Sequence, residues 1–120
     1  MKKKLLVSLC VLVMIVSSLS TALALSVDYP SASITTSVFT VKSDQEEACR
    51  HEVNALAYEV NTTTLVQSSK DAYGSASSQK SYKFTMYSSS GCVFVRGDAS
   101  YTLTFTGYNP VSYNVGASVS

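Results

Sequence analysis

The sequence contains no tryptophan, a single histidine and three cysteines, and charged residues make up only 14% of it. One histidine excludes a histidine-rich zinc site, and the cysteines lack the close ligand spacing of structural zinc. No glycine-rich phosphate loop and no Gly-x-Ser-x-Gly nucleophile elbow occurs. We therefore expect no metal ion, no cofactor and no enzymatic activity.

The N-terminal segment has the pattern of a secretory signal peptide. Three lysines at positions 2–4 precede an apolar run from Leu5 to Val16, and the small-residue pattern Ala22-Leu23-Ala24 follows. The apolar run is shorter than the roughly 20 residues needed to span a bilayer. We expect residues 1–24 to be removed, leaving residues 25–120 as one exported domain without a transmembrane span.

The predicted exported domain carries little charge. Cleavage takes three of the nine basic residues and leaves six basic and eight acidic residues, a formal charge of −2. Such a chain has no basic field to attract nucleic acid or an anionic membrane. We therefore expect no nucleic-acid partner.

Two cysteines, Cys49 and Cys92, remain after cleavage, because Cys10 lies within the apolar run. In an oxidising compartment a single pair predicts one disulfide, which would stabilise the fold by roughly 4 kcal/mol. A redox site is not expected, because such sites use closely spaced cysteines and these two are 43 positions apart.

The pattern of the remaining chain favours strands. Serine and threonine supply 28 of residues 25–120. Apolar and polar residues alternate with period two in three segments, 81–86, 100–106 and 111–115. Further strands are expected at 34–41 and 64–67, with turns at 68–78, 88–91 and 107–110. This spacing is typical of a small β-sandwich.

The segment from 44 to 60 supports two interpretations. A capping-box pattern begins at Ser43, and Cys49, Val53, Leu56 and Val60 recur at helical spacing. A strand would instead place His51 on the face of Cys49 and Val53, and would need a bulge or a turn inside the segment. A helix near 44–60 would make the fold α+β.

The tripeptide Arg96-Gly97-Asp98 also has two possible backbones. At the tip of a two-residue hairpin it would be exposed and could bind an integrin-type receptor. In an unbroken strand Arg96 and Asp98 would form an ordinary charged pair on one face. The same strand would place Cys92 and Phe94 on the face opposite to its other apolar residues, which indicates a bulge.

Several features together resemble a protein family. The early Cys49, the polar stretch from Tyr58 to Gln67, Lys80-Ser81-Tyr82 and the late segment 91–97 resemble small secreted immunoglobulin-like proteins of Gram-positive bacteria, which are mostly uncharacterised. The resemblance implies an immunoglobulin-like β-sandwich, with the late segment as a long central strand, and favours a strand over 44–60. The chain departs from that pattern because it has no central tryptophan and no tyrosine two residues before Cys92.

These observations favour a non-enzymatic binding or surface-interaction module. The bacterial appearance of the signal peptide implies an extracellular or cell-surface location, or the periplasm in a Gram-negative organism. The partner would be an extracellular protein or a cell-surface ligand. The alternatives are a small secreted toxin of bacteriocin type, or an enzyme inhibitor that presents residues 68–78 as a rigid loop.

Overall fold

The computed structural model describes residues 26–120, so the predicted signal peptide lies outside the described residues. Five strands and no helix occur in this part of the chain. They are β1 (Ser31–Ile34), β2 (Val38–Asn61), β3 (Gln67–Tyr87), β4 (Cys92–Thr104) and β5 (Val111–Ser118). The prediction of a mostly β protein is confirmed.

The five strands form one open antiparallel sheet with β2 at its centre. One side of β2 pairs with β3 over almost its whole length. The other side pairs first with β1 and then with β4, and β4 pairs with β5. Because β2 contacts three strands, every other strand takes its position directly or indirectly from β2.

The sheet curls so that the start of β2 faces β4. The register of β2 with β3 shifts between Asp44 and Cys49, and in β3 nearby Ser78 has a positive φ of 57°. Such irregularities bend a strand pair and increase its twist. As a result the ring of Phe39, near the start of β2, lies against Gly97 of β4.

The concave side of the curled sheet holds the hydrophobic core. Its members alternate along the strands and lie on one face. The buried apolar residues are Val27, Phe39, Val41, Cys49, Val53, Ala55, Ala57, Met86, Phe94, Ala99, Tyr101, Leu103 and Phe105. Gly97 leaves room for Phe39, because an added Cβ would come 2.6 Å from the phenyl ring.

The segment from 44 to 60 is a strand, and the helix considered for it is not formed. Odd-numbered residues such as Cys49, His51 and Val53 are buried, whereas Leu56 and Tyr58 on the other face are only half-buried. The expected bulge is present at 44–49. Strands on both sides hydrogen-bond the backbone N–H and C=O groups in the second half of this segment. A helix would have satisfied the same groups internally.

Three other predicted boundaries change. The expected strand 34–41 is divided by a turn at 35–37, and the expected strand 64–67 falls largely on the turn between β2 and β3. The expected turn at 68–78 is wrong, because this segment is the first half of β3 and pairs with β2. The inhibitor alternative therefore loses the loop on which it depended. The turns at 88–91 and 107–110 are confirmed.

Candidate functional site

The tripeptide Arg96-Gly97-Asp98 lies inside β4, not at a hairpin tip. Gly97 faces the core, while Arg96 and Asp98 lie on the convex outer face of the sheet. The guanidinium donates from Nε to Asp98 Oδ2 at 3.0 Å and from Nη2 to Oδ1 at 2.9 Å. A third donor, Nη1, is 3.3 Å from Ser118 Oγ on β5.

The bulge expected near this tripeptide is present. Tyr58 of β2 pairs with Arg96, whereas Glu59 pairs with Phe94, so Val95 has no opposite residue in the register. The extra residue reverses the alternation and turns Phe94 into the core. Arg96 and Asp98 therefore lie outward in phase with the rest of the outer face.

An open groove of about 820 Å³ crosses the outer face of β2, β4 and β5 beside the ion pair. The pairing register places Asn54, Ser100 and Asn114 side by side across these strands. The lining mixes polar and apolar side chains, and its polar members are Asn54, Arg96, Asp98, Ser100, Asn114 and Ser118. Groups from three strands thus converge on one surface.

Gly116 is the residue that keeps this groove open beside the ion pair. A Cβ at this position would lie 2.5 Å from Asp98 Oδ1 and 3.0 Å from the carbonyl oxygen of Gly97. Any larger residue would push the Asp98 carboxylate off its position over β5. The glycine therefore fixes where Asp98 presents its oxygens.

The groove offers hydrogen bonds without net charge. Asparagine amides and serine hydroxyls donate and accept, and the charges of Arg96 and Asp98 offset one another. Because both side chains are largely exposed, at 55% and 41%, the pair contributes at most about 1 kcal/mol to stability. Its main effect is to orient donors and acceptors.

A smaller depression of about 350 Å³ adjoins the groove at the other side of the ion pair. Tyr58, Gln67 and Val95 line it together with the ion pair. Tyr73 lies two rows further along the same face, opposite Asn54, and is 55% exposed. The outer face therefore combines polar groups with two tyrosine rings.

The sole histidine belongs to a buried hydrogen-bonded chain and not to the groove. His51 Nε2 lies 2.8 Å from the carbonyl oxygen of Gln79, so it donates, and Nδ1 accepts from the Tyr101 hydroxyl at 2.7 Å. Ser43 is a further partner of Tyr101 and accepts a bond from Gln45 Nε2. These polar groups satisfy one another inside the core.

Cys49 lies beside His51, but the two do not form an activated thiol. Sγ and Nε2 are 3.6 Å apart. Burial raises the pKa of the Cys49 thiol to about 11, and burial also lowers the pKa of His51. Both groups are therefore neutral near pH 7, whereas a nucleophilic cysteine needs its thiolate.

The predicted disulfide is not present, because Cys49 and Cys92 are both free thiols. Cys92 pairs with Asn61, which lies twelve positions beyond Cys49 along β2. At about 3.3 Å per residue these twelve positions correspond to about 40 Å of chain along β2, whereas a disulfide needs Cα atoms within about 7 Å. The sequence could not reveal this distance, because it depends on where β4 pairs with β2.

We expect alkylation without a reducing agent to modify both cysteines once the protein is denatured. Under native conditions Cys92, which is half-buried, should react faster than Cys49, whose thiol is buried and largely protonated. Intact mass after iodoacetamide treatment measures both rates, and the variant Cys92→Ser identifies the faster site. A denatured protein that gains no label until it is reduced would contradict the cysteine separation described above.

Among residues 26–120, no three side chains of the histidine, cysteine or acidic type are grouped so that they could hold a metal ion. None of the described residues forms a helix with the length and apolar character needed to cross a membrane.

No family model, curated protein or solved structure matches the chain. The groove residues Asn54, Ser100, Asn114 and Gly116 were not among the residues singled out from the sequence. In the sequence these residues are distinguished only by their alternating position within a strand. The strand register is needed to show that they lie together. The tripeptide was singled out, and its two charged residues do lie at the groove.

Proposed function

We propose that the protein is a secreted, non-enzymatic binding module and that the groove on its outer face holds an uncharged, polyhydroxylated ligand such as a neutral glycan outside the cell. The row of Asn54, Ser100 and Asn114 beside the oriented Arg96–Asp98 pair carries this proposal. Ligand sites typically combine a concave surface with a few converging polar groups.

The lining chemistry favours hydroxyl-rich ligands over charged ones. Amides, hydroxyls and an internally neutralised ion pair can each donate and accept hydrogen bonds, as sugar hydroxyls do. A phosphate or a carboxylate would need an unpaired cation, but the Arg96 guanidinium already binds Asp98. Tyr58 and Tyr73 supply rings with polar tips on the same face, in place of the absent tryptophan.

We also propose that the curled sheet is an immunoglobulin-like β-sandwich. The contact of Phe39 with Gly97 across the curled sheet supports the two-layer packing of an immunoglobulin-like sandwich. In such a packing the outer face of one layer is free for a ligand. A solved structure of the protein would test this assignment directly.

The test is binding to a printed array of neutral and acidic oligosaccharides, followed by calorimetric titration with each saccharide that is retained. The double variant Asn54→Ala, Asn114→Ala should raise the dissociation constant of a retained neutral saccharide at least about tenfold, or about 1.4 kcal/mol. Both side chains lie on the outer face, so the variant should unfold at the same temperature as the original protein.

Asn109→Ala is the matched control, because it removes the same side chain from the exposed turn that follows β4. It should leave the dissociation constant unchanged. Retention of acidic saccharides alone, or of none, would contradict the ligand class. Unaltered affinity of the double variant for a retained saccharide would show that the ligand binds elsewhere on the protein.

A further inference from the structure

Residues 26–30, which we call the N-terminal segment, precede β1 and run into the interior of the protein. Val27 is fully buried and Asp28 is 4% exposed. The segment belongs to none of the five strands, and its backbone pairing is limited to a single bridge at Asp28. Side-chain contacts therefore carry more of its attachment than they do for any strand.

The side chain of Gln45, on β2, binds both backbone groups of Asp28. Its Oε1 accepts from the Asp28 amide at 3.0 Å, and its Nε2 donates to the Asp28 carbonyl oxygen at 2.8 Å. A residue on a neighbouring antiparallel strand would exchange the same two bonds. Gln45 thus takes the place of a strand partner and holds the N-terminal segment against β2.

Gln45 is also the first member of a buried series of hydrogen bonds that leads to His51. Its Nε2 donates a second hydrogen to Ser43 Oγ at 2.7 Å. The Ser43 hydroxyl donates to Tyr101, whose hydroxyl donates to His51 Nδ1 at 2.7 Å. His51 Nε2 donates to the carbonyl oxygen of Gln79 at 2.8 Å. We call this series the relay, and all of its bonds run in one direction.

Backbone groups at both ends set the direction of the relay. The Gln79 carbonyl can only accept, so His51 must carry a hydrogen on Nε2. At the other end, the amide and the carbonyl of Asp28 fix which atom of the Gln45 side chain donates. Between these ends each donor has one acceptor. The relay therefore accommodates a neutral His51 and has no acceptor for a further hydrogen.

Protonation of His51 adds a donor to the relay without adding an acceptor. A hydrogen on Nδ1 meets the hydroxyl hydrogen of Tyr101, which must then turn towards Ser43. The Ser43 hydroxyl loses its own acceptor, and because Ser43 is only 2% exposed the loss is costly. Turning over the Gln45 amide offers Ser43 an oxygen, but both bonds to Asp28 are then lost.

The other titratable groups nearby do not resolve this conflict. Those that face His51 are Asp44 and Cys49 of β2, Tyr82 of β3 and Tyr101 of β4. The Asp44 carboxylate favours a charged ring, but burial has the larger effect and lowers the pKa of His51. Besides the Asp28 carboxylate itself, the N-terminal segment faces Tyr113 of β5, and burial raises the pKa of Tyr113 to about 12.

We propose that the relay is a proton-operated release, in which uptake of a proton by His51 frees the N-terminal segment from Gln45 while the sheet stays folded. The sheet keeps its backbone ladders, whereas the segment loses two of the hydrogen bonds that hold it. Val27 and Asp28 then become accessible to water. The proposal does not depend on the groove or on its ligand.

The test is an NMR titration of the purified protein from about pH 8 downwards until the ring of His51 is fully protonated. His51 is the sole histidine, so its ring signals are unambiguous. We expect the amide signals of Val27 and Asp28 to change with the midpoint of the ring, while the sheet keeps its native signals. A segment that keeps its native signals while the ring is protonated, or loss of all signals together, would overturn the proposal.

Gln45→Glu tests the direction of the relay. A carboxylate only accepts, so it suits a reversed relay in which His51 carries the additional hydrogen. We expect the midpoint of the ring titration to rise by about one pH unit or more. Gln79→Glu is the matched control, because it introduces the same charge beside the same ring on an exposed residue outside the relay. Equal rises in the two variants would show charge attraction alone.

Two further variants keep the test decisive if Gln45→Glu does not fold. Ser43→Ala interrupts the relay, so the ring should still titrate while the signals of Val27 and Asp28 no longer follow it. His51→Gln can accept from Tyr101 and donate to the Gln79 carbonyl without titrating. Its N-terminal segment should stay in place at acid pH. Release that persists in both variants would assign the effect to another group.

Discussion

Replacing Phe39 with alanine is expected to destabilise the protein by about 3–5 kcal/mol. Phe39 is fully buried and its ring fills the space above Gly97, so its loss leaves a cavity where the two parts of the curled sheet meet. A domain of this size has a total stability on the order of 5–14 kcal/mol. Urea unfolding followed by circular dichroism measures the difference.

A double-mutant cycle tests the contact itself. Gly97→Ala alone should be destabilising, because its Cβ would meet the Phe39 ring at 2.6 Å. In the Phe39→Ala background the same change should destabilise the protein much less, since the cavity accommodates the methyl group. Equal costs in both backgrounds would show that the two residues do not touch. Tyr108→Ala, at an exposed site, should have little effect.

Acidification is expected to destabilise the protein as the pH falls below about 6.5. Burial lowers the pKa of His51, an effect larger than the opposing effects of the Gln79 carbonyl and the Asp44 carboxylate. The unfolded chain therefore takes up the proton first, and the free energy of unfolding falls by up to about 1.4 kcal/mol per pH unit. Urea unfolding between pH 7.5 and 5.5 measures the slope.

Besides the Asp44 carboxylate, the groups that face His51 are Cys49, Tyr82 and Tyr101. Burial raises the pKa of both Cys49 and Tyr101, so neither of these two ionises between pH 5.5 and 7.5. His51→Gln should remove the slope. If that variant does not fold, an NMR titration of the ring in the original protein decides the matter. A ring that gains its proton at or above pH 6.5 would contradict the burial of a neutral histidine.

Local alternation was sufficient to predict some elements of this fold. Segments 81–86, 100–106 and 111–115 each place apolar residues on one face, and each lies in a strand except for residues 105–106, which follow the end of β4. Their alternation depends only on neighbouring residues. The turns at 88–91 and 107–110 were predicted for the same reason, because glycine, serine and proline act locally there.

Other elements depend on pairing that no local pattern contains. Over 44–60 the same apolar residues fit helical and strand spacing, and pairing with β3 and β4 decides between them. Residues 68–78 have the composition of a turn but become a strand because β2 lies beside them. The groove is beyond local reasoning altogether, because Asn54, Ser100 and Asn114 come together only through the register of three strands.

The central position of β2 also has a consequence for the order of folding events. The β2–β3 hairpin is local in the sequence and closes through a short turn, so we expect it to form early. On its own it leaves Phe39, Val41 and Val53 in contact with water, because β4 supplies the aromatic and aliphatic residues that complete the core. Chain growth that pauses before β4 therefore exposes a long apolar ribbon, and at that stage the protein is most prone to aggregation.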